Sequence, residues 1–167
     1  MPISELHKSY LEYIGSSDYS ISEESAQYLY DFVKEHKIKS VLDLGSGFST
    51  HIFALAGAKV YSIDTDSTFL QKTAKWLDQH NLKAEFYLFK GLPEKPKKWQ
   101  LVFYDLGDFE TRKANIYLPL ERASKFVIYD DMDNPDYQAL LAEKGIEVSV
   151  VPATLDGRGR YMGVVKK

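Results

Sequence analysis

Apolar positions in this chain recur first at helical and then at alternating helical and strand spacing. Leu6, Tyr10 and Tyr13 or Ile14 share one side of Ile3 to Ile14, which predicts a short amphipathic helix broken by Gly15-Ser16-Ser17-Asp18. Ser20-Ile21-Ser22-Glu23 fits a capping box, with Ser20 as the cap and Glu23 three residues on. Ala26, Leu29, Tyr30 and Val33 then follow at i, i+3, i+4 and i+7, so a second helix is expected. Lys34, His36 and Lys37 lie near its end, where cations suit the helix dipole.

From Ser40 onward short apolar runs alternate with helical patterns. Strands are predicted at Ser40 to Leu44, Ala58 to Ile63, Ala84 to Phe89, Leu101 to Tyr104 and Phe126 to Tyr129. Helices are predicted around Phe53, over Ser67 to His80, over Glu110 to Arg122 with a kink or interruption at Pro119, and over Pro135 to Lys144. Glu94 to Lys98 reads as a charged surface turn. Glu147 to Val151 and Tyr161 to Val165 are two last strands with no helix between them, so they should pair antiparallel across the connection Pro152 to Arg160, read as a hairpin loop. The expectation is an α/β fold: a Rossmann-like three-layer sandwich with a seven-stranded, mostly parallel sheet and an antiparallel last strand. One domain over 1–167 is expected, with N-terminal helices over 1–37 and the core over 38–167.

Composition narrows the function classes only in part. The 167 residues carry a net charge of -3, which gives no electrostatic case for nucleic-acid or membrane binding. The absence of cysteine excludes disulfides, thiolate metal sites and a cysteine nucleophile. No apolar run is long enough to span a bilayer, and the first ten residues show no signal pattern, so a cytoplasmic location is the plain reading. Twelve tyrosines and nine phenylalanines suit both a core and a pocket for a flat organic ligand.

The chemistry gathers at strand ends. In parallel sheets ligands sit outside the carboxyl ends of the strands. The residues expected there are Asp43, Asp64, Gly91, Asp105, Asp130 and Asp131. So many acids at one sheet edge repel one another, and a cationic ligand or a metal would explain them. Val41-Leu42-Asp43-Leu44-Gly45-Ser46-Gly47-Phe48-Ser49-Thr50 reads as buried strand, glycine turn and helix start, with Ser49 or Thr50 as the cap. Asp64 follows Asp43 by 21 residues, the separation at which a carboxylate reaches a ribose diol. Thr50 stands at the third position of a dinucleotide fingerprint, and Asp43 would face a pyrophosphate. These residues favour an adenosine bearing a cationic tail.

V-L-D-L-G-S-G-F-S resembles motif I of the class I S-adenosylmethionine-dependent methyltransferases, and Y-S-I-D-T-D resembles the acidic motif after their second strand. The resemblance runs from about Ser20 to the C-terminus. It implies Asp43 near the methionine ammonium, with Gly45, Ser46, Gly47 and Ser49 forming the turn against the tail. It further implies Asp64 on the ribose hydroxyls with Thr65 beside it, and the Gly91-Leu92 turn flanking the adenine. Ser49 replaces the third glycine common in that motif.

L-V-F-Y-D and F-V-I-Y-D-D resemble two strand ends of the catechol-type O-methyltransferases, in which an Asp after the fourth strand and an Asp-Asn pair after the fifth bind magnesium. Asp105 and Asp130 match by position and would carry the chemistry. Asp131 stands where that family has Asn, so Asp105, Asp130 and Asp131 are the candidate Mg2+ ligands. The lysine of that subfamily is not clearly matched; Arg112 lies in the region but is not a base. Tyr19 could close over the donor or simply pack, and His51 could approach the site or be structural. Arg158 and Arg160 belong either to a solvated hairpin or to an anionic-substrate site. Y-D-L-G after the fourth strand is not the N-P-P-Y or D-P-P-Y of base-amino methyltransferases. The expected acceptor is a hydroxyl or other nucleophile of a small molecule. The alternatives are a protein or RNA acceptor, or a non-catalytic module binding S-adenosylmethionine or S-adenosylhomocysteine.

Overall fold

Two amphipathic helices lead into an alternating strand–helix chain, and their apolar stripes settle on one face of a central sheet. The computed structural model describes residues 2–91 and 96–167. Helix α1 spans Ile3–Ile14 and α2 spans Glu23–Glu35. The strands are β1 (Ser40–Leu44), β2 (Lys59–Asp64), β3 (Glu85–Leu88), β4 (Trp99–Tyr104), β5 (Ala123–Tyr129), β6 (Ser149–Val151) and β7 (Met162–Lys166). Between them lie α3 (Phe48–Leu55), α4 (Ser67–Gln79), α5 (Phe109–Ala114), α6 (Leu118–Arg122) and α7 (Pro135–Glu143).

All seven strands form one sheet in the order β3-β2-β1-β4-β5-β7-β6. Pairings from β3 to β5 are parallel; β7 runs antiparallel to both β5 and β6. This is the expected sheet with its reversed last strand. Strand residues alternate between the faces. Val41 packs with Leu29, Ile52 and Phe53 on the face covered by α1 to α4. Leu42 and Leu44 pack with Val102, Tyr104 and Tyr137 on the opposite face.

Three local expectations are corrected. Ser22, not Ser20, caps α2, its Oγ accepting from the Ser25 amide at 3.1 Å; Ser20 turns its hydroxyl onto the Ile21 carbonyl. The segment Glu110 to Arg122 is two helices, α5 and α6, parted at Asn115 to Tyr117 rather than at Pro119. Pro119 lies in the first turn of α6, where a missing amide proton costs nothing. The expected hairpin loop opens with a 3-10 turn at Pro152–Thr154. The charged turn expected at Glu94 to Lys98 falls partly outside the described residues, which resume at Pro96.

Candidate active site

The turn after β1 is shaped by contact with the next strand end. Gly45 has φ 121°, and a Cβ there would lie 2.5 Å from the Asp105 carbonyl oxygen. Only glycine lets the turn rest on that backbone. The Gly45 amide donates to the Ile63 carbonyl at 2.8 Å, and the Asp105 amide donates to the Leu44 carbonyl at 2.7 Å. The ends of β1, β2 and β4 are thereby stitched together. Helix α3 begins at Phe48, earlier than a Ser49 or Thr50 cap would place it; instead Thr50 Oγ1 accepts from the Gly47 amide at 3.2 Å.

Asp43 lies wholly beneath this turn. Its carboxylate accepts from Ser49 Oγ at 3.1 Å and from Thr50 Oγ1 at 2.5 Å. Thr50 Oγ1 also meets Ser62 Oγ at 3.0 Å, and Ser62 donates to Ser46 Oγ at 3.0 Å. Burial, aided by the Asp64 charge, pushes the Asp43 carboxyl up to about 8 against the pull of the two hydroxyls. At 0% exposure Asp43 has no surface on the cleft, so it shapes the turn from below.

Asp64 ends β2 and does face the cleft. One carboxylate oxygen accepts from the Ser46 amide at 2.8 Å and the other from the Asp66 amide at 2.9 Å. Burial raises its carboxyl, and these amides work against the rise. Fixed from behind in this way, the carboxylate presents its remaining lone pairs to the cleft, an arrangement suited to a pair of hydroxyls.

The cleft has a volume of about 440 Å³, within the ordinary range for small-molecule sites. Its walls bring together Gly45, Ser46, Gly47, Ser49, Asp64 and Thr65 with Asp105, Asp130 and Asp131. Gly91 closes a 3-10 turn after β3, and Leu92 lies outside the described residues. The segment between α1 and α2 adds Asp18, Tyr19, Ser20 and Ile21. Tyr19 is exposed and lies 5.5 Å from the Phe69 ring, which also lines the cleft. Arg160 lines it as well, held through Nε by Asp156 at 2.8 Å; Arg158 stays outside, paired with Asp18 at 3.2 Å. His51 is buried against His80 and Trp76 and is held neutral, its pKa lowered to about 4 by burial and by His80. Trp76 and Trp99 are buried packing residues.

The far end of the cleft is governed by Arg112, on α5. Its Nη2 donates to Asp105 at 2.5 Å and its Nη1 to Asp131 at 2.8 Å. Burial works against the guanidinium charge, and the two carboxylates outweigh it, so Arg112 is held more firmly protonated than usual. For Asp105 burial raises the carboxyl and Arg112 pulls it back. Asp130 is raised well above the ordinary range by burial and by Asp105 and Asp131. The Asp131 amide works against that rise, and the Asp130 amide donates to the Tyr104 carbonyl at 3.2 Å.

The Mg2+ expectation is therefore corrected. No group of three or more His, Cys, Asp or Glu among the described residues could hold a metal ion. A guanidinium already takes one carboxylate oxygen of Asp105 and one of Asp131, two of the three acids that were to ligate it. Ser62 was missed, although a polar residue inside the otherwise apolar run of β2 was a signal for it. Arg112 was placed in the region, but its pairing was not legible, because its partner Asp131 lies 19 residues away.

No family model matches the chain, and no curated protein matches it in sequence. Solved structures do match. The sheet order and the reversed β7 are those of a Rossmann-like fold shared with methyltransferases of known structure. An O-methyltransferase from Bacillus cereus in complex with SAH aligns with TM-score 0.75 at 14% identity, covering 99% of this chain and 90% of that one. The O-methyltransferase TomG from Streptomyces achromogenes, in complex with SAM, aligns with TM-score 0.71 at 13% identity over 99% and 89%. A 16S rRNA methyltransferase from T. thermophilus, in complex with AdoMet and guanosine, aligns with TM-score 0.67 at 20% identity, over 90% of this chain and 44% of that one. At these identities the likeness shows the fold. No helix among the described residues is long and apolar enough to cross a membrane.

Proposed function

We propose that the cleft binds S-adenosylmethionine and that the protein transfers its methyl group to a hydroxyl or other nucleophile of a small molecule. The observation that carries this reading is Asp64. It is a carboxylate fixed by the Ser46 and Asp66 amides beside a glycine turn, at the carboxyl end of a parallel sheet. Among the solved structures of the same fold, two O-methyltransferases hold SAH or SAM.

In this reading the donor end is the Gly45 to Ser49 turn, Asp64 and Thr65. Asp64 accepts from the ribose hydroxyls, and the turn lies against the methionine tail with Asp43 supporting it from below. Gly91 is assigned to the adenine edge. When bound, S-adenosylmethionine supplies a methyl group made electrophilic by its sulfonium. The acceptor end is Asp105, Arg112, Asp130 and Asp131. There the acceptor's lone pair forms the bond to the methyl carbon, and the electrons of the broken carbon–sulfur bond remain on sulfur. Asp130 accepts the proton the acceptor gives up; a carboxyl raised by burial is better matched to that task near neutral pH than an ordinary one. Alignment of the acceptor with the methyl supplies much of the acceleration. A cleft of about 440 Å³ favours a small acceptor. The lack of cysteine agrees with a reducing, cytoplasmic setting.

The test is transfer of a labelled methyl group from the donor to a panel of small phenols, alcohols and amines. Labelled product from at least one acceptor is expected, and it should be lost in Asp130→Asn while donor binding persists. Donor binding without labelled product across the panel would contradict the enzymatic reading.

A further inference from the structure

Arg112 is built into the place where the catechol-type resemblance puts a divalent cation. Its guanidinium reaches Asp105 and Asp131 at 2.5 and 2.8 Å and the Gly107 carbonyl at 3.3 Å. These are not the contacts of a side chain resting on the surface. The Arg112 side chain is 11% exposed. Its backbone is clamped on both sides: the Arg112 amide donates to the Asp108 carbonyl at 3.1 Å, and the Tyr104 hydroxyl donates to the Arg112 carbonyl at 3.1 Å. Asp108 in turn caps α5 through the Thr111 amide at 2.8 Å. The arginine stem is therefore held at a fixed height above the end of β4.

A cation entering between Asp105 and Asp131 would have to displace this guanidinium. One oxygen of each carboxylate already accepts a charged hydrogen bond, and like charge opposes a second cation at such range. Asp131 adds geometry of its own: it has φ 53°, a left-handed backbone that turns its carboxylate back toward α5 rather than along β5.

We propose that Arg112 is an internal cation that takes the place of the divalent metal, so that the acceptor end works without metal and accepts molecules offering a single nucleophile. A divalent ion with open coordination positions can chelate two neighbouring acceptor oxygens. A guanidinium has no such positions. With both of its Nη atoms committed to carboxylates it orders the floor of the site but does not chelate. A lone hydroxyl or amine placed beside Asp130 meets what remains. Arg112 is thus a positioning residue, holding Asp105 and Asp131 in register under the acceptor. The acceptor class rests on the methyl-transfer reading above; the exclusion of metal does not.

The experiment is a Mn2+ titration of the full chain, followed by the loss of the free-ion paramagnetic resonance signal and by calorimetry. The unmodified protein should leave Mn2+ free at millimolar concentration. Arg112→Ala, which releases Asp105 and Asp131 beside Asp130, should bind Mn2+ at least tenfold more tightly, whereas Arg112→Lys, which keeps the charge, should behave as the parent. Should Arg112→Ala fail to fold, Arg112→Gln removes the charge with less loss of packing and carries the same comparison. Equal Mn2+ affinity in parent and charge-removed variant, measurable or not, overturns the proposal. So does saturable Mn2+ binding by the parent, or methyl transfer that stops in chelator. Calorimetry with S-adenosylmethionine on the same samples separates the two claims: absence of donor binding refutes the methyl-transfer reading while the Mn2+ comparison still decides the role of Arg112.

Discussion

At the donor end of the cleft Asp43 is met by two hydroxyls and Asp64 by two backbone amides. At the acceptor end Asp105 and Asp131 share one guanidinium, and neighbouring Asp130 is not part of that pairing. The same residue type, at the same edge of the same sheet, is stabilised in three different ways. Neutral donors leave Asp43 free to hold a proton when buried. Fixed amides orient Asp64 without neutralising it. A buried guanidinium pairs with two acids at once and offsets one of their two charges. A run of acidic strand ends in a sequence therefore announces a polar site, but the partners that come from elsewhere in the chain decide what each acid does.

The contrast is easiest to break at Gly45, where the donor turn touches Asp105. Gly45→Ala forces a Cβ to 2.5 Å from the Asp105 carbonyl at φ 121°. Strain of about 1–3 kcal/mol is expected, read as a thermal midpoint lower by several degrees, together with donor affinity reduced at least tenfold. An unchanged midpoint would show that the turn does not rest on β4.

Next in size is the difference in titration between the buried groups. Asp43 has a folded pKa of about 8 against an ordinary 3.8. A raised pKa means that its stabilising contribution is full below 3.8 and lost as pH rises through 8. His51 is the reverse, about 4 against 6.5. Being depressed, it contributes fully above 6.5 and loses that contribution as pH falls toward 4. Each acts with a slope of at most about 1.4 kcal/mol per pH unit, so the two oppose one another between 4 and 6.5. Asp105 and Asp130, also raised by burial, add to the Asp43 decline, so chemical denaturation across pH should show Asp43→Asn making the decline from 6.5 to 8 shallower without abolishing it. His51→Phe should uncover the opposite slope between 4 and 6.5. Identical profiles for all three proteins would remove both assignments.

At the smaller end stands the exposed pair of Arg158 with Asp18, both side chains at least half exposed. Arg158→Ala should change stability by less than about 1 kcal/mol and leave donor affinity within a few-fold. A larger loss would mean that this contact holds the Asp18 to Ile21 segment over the cleft.

Much of the architecture was legible because it depends on local rhythm. The β1–turn–α3 unit, the alternation that follows and the helix-free link before β7 all follow from spacing and glycine placement. The errors arose where two local signals compete or where a partner is distant. Ser20 and Ser22 both precede glutamates, and the cap fell to the serine whose backbone enters the helix directly. Pro119 was a breaker on paper but begins a helix in space. The carboxylates of the site were legible by position. Their states were not, because Thr50, Ser62 and above all Arg112 reach them across the fold. A cation and two acids written as separate positions gave a metal site; folded, the cation is paired with both acids.

Asp64 and the turn beside it carry the donor site, and titration calorimetry with S-adenosylmethionine tests them most directly. Saturable binding at one site per chain is predicted, weakened about tenfold or more in Asp64→Ala, as expected for losing charged hydrogen bonds to a diol. No heat of binding at millimolar donor, or equal affinity in parent and variant, would contradict it.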